Sequence, residues 1–280
     1  MKKQLNNLPM AVSHEQAIDT IYAMYKEPRT PLPIKTVGKY GLINPGPKDI
    51  PNILNKIERK VATLEDRQKH RSMEEVVGNY IHDKAPADPY ADILDQLSDW
   101  VRFAIILPNY QTAPMVIAQF LSEFGGRIDI HEKPDYEAIH QHTNYKNVNL
   151  EFQFHTQEYA ELKKATDLFY HNYNNVILQK NSRVAEQYER EQQQIINYCQ
   201  MIYRDSDFKQ SLPAVQEVAD TYYARTKGKI AHNTKLKYFC MYVRKAEMVQ
   251  NELAEFLPQF LQKINKMEHT ILTNEEKVKL

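Results

Sequence analysis

Leu150-Glu151-Phe152-Gln153-Phe154-His155-Thr156 alternates strictly between apolar and polar side chains. Period-two alternation marks a β-strand with one face in the core. The other face carries Glu151, Gln153 and His155, which are a carboxylate, an amide and an imidazole in a row. Such groups can hold a metal, a phosphate or a nucleobase; a solvated edge strand is the alternative for the same pattern. A second carboxylate, Asp99, opens the apolar run through Trp100, Val101, Arg102 and Phe103 to Leu107, short enough for a buried strand. On neighbouring strands of one sheet, Asp99 and Glu151 can share a divalent cation. Mg²⁺ typically takes one or two carboxylates together with substrate phosphates.

Tyr136 and His140 flank Glu-Ala-Ile. A tyrosine ring can stack on a base, and the histidine can bond a phosphate or sugar; either can equally be structural. Lys48, Lys56, Arg59 and Lys60 form a basic cluster near a turn and a helix start. It can neutralise a triphosphate or line a solvated helix face. His82-Asp83 lacks the further histidines and aspartates that a metal phosphohydrolase needs. The chain carries no P-loop, dinucleotide fingerprint or serine-nucleophile elbow.

The elements that must position these residues are legible in outline. Ser13-His14-Glu15-Gln16 reads as a capping box, and Ala17, Ile18, Ile21, Tyr22 and Met24 continue it as a helical stripe that Pro31 and Pro33 end. Lys35 to Lys48 is basic and turn-rich. Ile53, Leu54, Ile57 and Val61 have helical spacing, residues 62–80 predict a polar helix, and Ala85 to Pro89 a loop. Residues 112–124 predict an amphipathic helix stopping at Gly125-Gly126. Arg127 to His131 reads as a strand, followed by a loop with Pro134, the Tyr136–His140 segment and the Glu151 strand. Strand, helix, strand, loop and strand make an α/β unit with a mixed sheet. From Glu158 to about Met267 the pattern is helical, with a frayed tail after Asn274. Only Gly228 of the seven glycines lies beyond Gly126, so tight turns and strands belong to the first half.

With 280 residues the chain can form one large domain or two small ones. Lys plus Arg number 36 and so do Asp plus Glu, so no global field draws it to nucleic acid or membrane. Nucleic-acid contact would need a local basic patch. Lys227, Lys229, Lys235, Lys237, Arg244 and Lys245 offer one, or a solvated helix face. Cys199 and Cys240 lie far apart with no metal-ligand partner spacing, which argues against a zinc site and a disulfide framework. Lys2 and Lys3 precede no apolar run, and no window reaches the length of a membrane span. These features predict a soluble, cytoplasmic protein.

The order of these features resembles the RelA/SpoT-type nucleotide pyrophosphokinase domain, in the divergent branch of small alarmone synthetases and their toxic relatives. Glu151-Phe-Gln-Phe-His-Thr156 is similar to that family's E-x-Q-x-R/H-T strand, Tyr136 and His140 to its Y-x-x-x-H/N segment, and Asp99 to Arg102 to its D-x-x-R strand entry. Lys163 to Tyr170 is similar to the K-x-x-x-H-x-x-Y helix, with Asp167 in place of the histidine. The resemblance covers roughly residues 44–175. It departs at Gly46, where the family has an arginine that packs on ATP, at Asn52, and in the short loop before Tyr136.

The resemblance implies an α+β fold, a mixed β-sheet flanked by helices. It divides the chain into an N-terminal segment and lead-in over 1–43, a synthetase domain over 44–175 and a helical extension over 176–280. It implies Mg²⁺-dependent transfer of the β,γ-pyrophosphate of ATP to a ribose 3′-hydroxyl of a guanine nucleotide or of tRNA. Asp99 and Glu151 would hold the metal, or Glu151 would take the proton of the attacking hydroxyl. Tyr136 would stack on the acceptor base and His140 contact its phosphate or ribose. Lys48, Lys56 and Arg59 would meet the triphosphate, and Arg102, Gln153 and His155 line the same wall. A homo-oligomer or an antitoxin partner fits the toxic branch. The alternative is a catalytically degenerate nucleotide- or RNA-binding regulatory protein on the same fold.

Overall fold

A computed structural model describes residues 13–48, 50, 51, 53, 97, 99–177, 182–203, 207–226 and 239–278. The capping box forms as the sequence predicts: the Gln16 N–H donates to Ser13 Oγ at 3.2 Å and the Ser13 N–H to Gln16 Oε1 at 2.9 Å. It opens α1 (His14–Met24), whose Ala17, Ile18, Ile21 and Tyr22 are buried.

Lys35–Val37 (β1) and Tyr40–Ile43 (β2) form a hairpin. Next come β3 (Val101–Leu107), a 3₁₀ turn over Tyr110–Thr112 and α2 (Ala113–Phe124). Three antiparallel strands follow: β4 (Arg127–Lys133), β5 (Tyr136–Tyr145) and β6 (Val148–Thr156). The rest of the described chain is helical, as α3 (Gln157–Ile177), α4 (Ser182–Tyr203), α5 (Phe208–Thr226) and α6 (Phe239–Val278). The six strands make one mixed sheet in the order β1-β2-β3-β6-β5-β4, with β3 and β6 parallel and the other neighbours antiparallel.

β6 lies inside the sheet between β3 and β5, so its polar face is not that of a solvated edge strand. Its other face is aromatic. Phe152 and Phe154 meet Phe120 of α2 edge-on, with centroids 4.9 and 5.3 Å apart, and Phe260 of α6 meets Phe120 at 5.2 Å. Edge-to-face geometry adds to the burial of the rings themselves. Along α6, Tyr242, Ala246, Val249, Leu253, Leu257, Leu261 and Ile264 recur at helical spacing and are all buried. No helix among the described residues is long and apolar enough to cross a membrane.

Several expectations change. The turn-rich lead-in at Lys35 forms a hairpin whose second strand, ending at Ile43, pairs with β3, so the sheet takes in strands that precede residue 44. A boundary at 176 separates α5 and α6 from the α2 and sheet surfaces they cover. β3 starts at Val101, with Asp99 and Trp100 in the preceding turn. The Tyr136–His140 segment is half of a ten-residue strand. The tail after Asn274 continues α6 to Val278. The helix expected over 53–61, the polar helix over 62–80, the loop over 85–89, His82-Asp83 and the lysines over 227–237 lie outside the described residues, apart from the buried Ile53.

Phe120 is fully buried where α2, α6 and β6 meet. Phe120→Ala is expected to lower unfolding free energy by about 3–5 kcal/mol, read as a shifted urea midpoint. A change below 1 kcal/mol, estimated roughly as a surface substitution, would mean the aromatic face is not packed as described.

Candidate functional site

Glu151 is where the two strand registers converge. The parallel pairing sets Arg102 of β3 beside Glu151, and the antiparallel pairing sets His142 of β5 on its other side. Two residues along β5, His140 stands opposite Gln153. Alternation puts all of these on one sheet face. Lys146 and Asn147, at φ 52° and 67°, close β5 to β6 in a two-residue turn. Positive φ at both central residues defines a primed hairpin turn, which fixes the pairing register. Gly126 holds β4 against β5: at φ +102° a Cβ there would lie 2.2 Å from the His142 carbonyl oxygen.

Glu151 is buried and held from three sides. Its Oε1 accepts from Gln153 Nε2 at 2.5 Å. Its Oε2 lies 3.7 Å from Nδ1 of His140 and 3.7 Å from Nδ1 of His142. On their far sides, His140 Nε2 meets the Tyr136 hydroxyl at 2.7 Å and His142 Nε2 lies 3.3 Å from Asp129 Oδ2. His131 of β4 packs on His140 with centroids 4.5 Å apart. The Nδ1 of His142 is buried without a hydrogen-bond partner.

Burial dominates the electrostatics. It pushes His140 far below the ordinary imidazole value, assisted by His155, His131, His142 and Lys163. Burial also lowers His131, with Lys133 adding to the effect. Tyr136 is pushed far above the usual phenol range by burial and then by the charge of Glu151. His155 is 1% exposed, and neither ring nitrogen has a hydrogen-bond partner. Its pKa falls from 6.5 to about 3 through burial, then Lys163 and Arg102. Neutral imidazoles can accept a metal or a proton; the same rings as imidazolium cannot.

The structure brings together Glu151, Gln153, His140 and Tyr136 by direct contact. Arg102 lies beside Glu151 in register, and His155 lies further along the same face with its centroid 6.3 Å from that of His140. Lys48 and Asp99 come together at the start of β3: the ammonium bonds both the carboxylate and the backbone carbonyl of Asp99. Lys56 and Arg59 lie outside the described residues. Gly46 adopts φ +79° in a turn whose N–H donates to Asn44 Oδ1 at 2.9 Å. A side chain bearing a Cβ would be strained there. Asp167 forms an ion pair with Lys163 at 2.7 Å.

His142, Asp129, His131 and Lys163 escape the sequence reading as site residues. The signal that reaches His142 is the His140-Gln-His142 spacing, which puts both imidazoles on one face once the segment is taken as a strand. The Mg²⁺ that the resemblance implies does not suit this donor set. Mg²⁺ seeks oxygen ligands in octahedral geometry, whereas Glu151 has two imidazole nitrogens as its nearest ligating neighbours and Asp99 is engaged by Lys48. Comparison with models of protein families, with curated proteins and with solved structures found no match to this chain.

The depressed pKa of His155 has a consequence for stability. Below about pH 6.5 the unfolded chain takes up a proton that folded His155 refuses. Its contribution is therefore present above pH 6.5 and is lost as pH falls toward 3. His155→Leu should change stability at pH 7 by less than about 1.5 kcal/mol, since both unpaired nitrogens leave together. It should also flatten the acid loss by up to about 1.4 kcal/mol per pH unit. Urea unfolding of both proteins at neutral and acid pH checks this; parallel curves would contradict it.

Proposed function

We propose that the chain is a nucleotide pyrophosphate transferase of RelA/SpoT type, working on the Glu151 face of the sheet. The observation that carries the reading is the side-by-side register of Arg102 and Glu151 on parallel strands, with Gln153 and His155 continuing that face. These are the strands whose motifs resemble that family. In this reading the acceptor ribose oxygen attacks the β-phosphorus of ATP. The bond from that phosphorus to the α,β-bridging oxygen breaks, AMP leaves, and the hydroxyl proton passes to Glu151. Arg102 and Lys163 offset the charge of the transferred phosphates, a screening that transition states of phosphoryl transfer require. Tyr136, at the start of β5, offers its ring to the acceptor base. The acceptor is a guanine nucleotide or tRNA. A tRNA acceptor would make binding fall steeply with salt.

A second reading has its own support. Lys48 bonds Asp99, and Gly46 replaces the arginine that would pack on ATP. Both favour a nucleotide- or RNA-binding protein that has lost transfer.

Incubation with γ-labelled ATP·Mg²⁺ and GTP, GDP or tRNA separates the two. Transfer moves label to the acceptor and releases AMP. Glu151→Gln should keep the fold and slow transfer by about 10²–10⁴-fold. Nucleotide binding without label on any acceptor would establish the second reading instead.

A further inference from the structure

We infer that His140, His142 and Glu151 form a binding site for a divalent transition metal of the zinc type. This goes beyond the transfer reading and does not rest on it. The ion would use the Glu151 oxygen that proton transfer would use, so the two are tested separately.

The geometry distinguishes a metal site from a buried polar network. One ligating atom from each of His140, His142 and Glu151 lies within 4.8 Å of the other two. Each Nδ1 is 3.7 Å from the carboxylate oxygen. That is too long for an imidazole–carboxylate hydrogen bond, which closes to about 2.7–3.2 Å. It is near the spacing of two donors that share one ion: ligands about 2.1 Å from a tetrahedral centre stand about 3.4 Å apart. The buried Nδ1 of His142 has no hydrogen-bond partner, and an ion at that point would take its lone pair as a ligand.

The far sides of the rings are arranged differently. His140 Nε2 is bonded to the Tyr136 hydroxyl at 2.7 Å, and His142 Nε2 faces Asp129 Oδ2 at 3.3 Å. A proton on the Nε2 of His142 leaves its Nδ1 lone pair facing Glu151. Metal-bound histidines characteristically hold their second nitrogen in this way, against a carboxylate or another acceptor. Gln153 fixes the carboxylate through Oε1 at 2.5 Å, leaving Oε2 for the ion.

Donor chemistry names the class of metal. Two imidazoles and one carboxylate suit Zn²⁺, Co²⁺ or Fe²⁺ and not Mg²⁺ or Ca²⁺. Three protein donors leave at least one position for water or a substrate oxygen, the pattern of a catalytic rather than a closed structural site. The cysteine count speaks only to a thiolate site and not to one built of imidazoles.

The test uses the full chain after chelation and buffer exchange, with no nucleotide present. Zn²⁺ is titrated calorimetrically, and Co²⁺ is followed by its visible ligand-field absorption. One equivalent of each should bind, and millimolar Mg²⁺ should not displace it. His142→Asn and Glu151→Gln, checked for folding by circular dichroism, should each lose stoichiometric binding. Asp129→Asn, which meets His142 only on its far side and is also ion-paired with Arg127 at 3.1 Å, should weaken affinity by about 10–100-fold, while Arg127→Gln, which removes that ion pair alone, should not. Absence of saturable Zn²⁺ and Co²⁺ binding would overturn the inference, as would undiminished binding in both ligand variants. Stoichiometric binding by a protein that transfers no pyrophosphate supports this inference while removing the transfer reading. Transfer by a protein that binds neither ion does the reverse.

Discussion

The site depends on one constraint, the register of β6 against both of its neighbours. The parallel register with β3 sets Arg102 beside Glu151, and the antiparallel register with β5 sets His142 there. A slip of one residue on either side would send the partner to the aromatic face. Two features oppose a slip. Lys146-Asn147 closes the hairpin in a two-residue turn with positive φ at both positions. Leu150, Phe152 and Phe154 are fully buried, so exchanging faces would set a carboxylate, an amide and an imidazole against the apolar packing of α2 and α6 in their place.

The two faces of β6 do opposite work. One carries the rings that meet α2 and α6 and supplies hydrophobic stabilisation. The other holds a carboxylate, an amide and several imidazoles away from water, which is costly wherever those groups lack partners. Glu151 and Gln153 bond each other, while both nitrogens of His155 and the Nδ1 of His142 stay unpaired. Polar groups left unsatisfied inside a sheet are uncommon in proteins and call for a physical account. For His142 a shared ion with His140 and Glu151 provides one. For His155 the nearby Lys163 and Arg102 identify a neighbourhood that favours an anion over a cation.

The sequence carried the strand of Glu151, the apolar strand after Asp99, the helix that stops at Gly125-Gly126 and the helical second half, because each has a clean hydrophobic period. β5 has none, and the reason is visible in the fold. On its aromatic side, Gln141 donates to the carbonyls of Phe120 and Gly125, and Thr143 to that of Phe124. Both residues satisfy the C-terminal end of α2 rather than filling the core, so polar residues occupy both faces of the strand. His142 was hidden with it. β1 and β2 have only three and four residues, too few for a period to register. Lys48 and Asp99 stand out separately by type, but their contact spans 51 residues of chain and follows only from the fold.

In the proposed metal site the face around Glu151 gathers the ligands of one ion. Diffraction from crystals grown with Zn²⁺, collected on both sides of the zinc absorption edge, would locate that ion. An anomalous peak bonded to Nδ1 of His140, Nδ1 of His142 and Oε2 of Glu151 is expected, with Asp129 and Tyr136 behind the two rings. Peaks confined to surface histidines, with Glu151 and the two imidazoles hydrogen-bonded to one another, would contradict it.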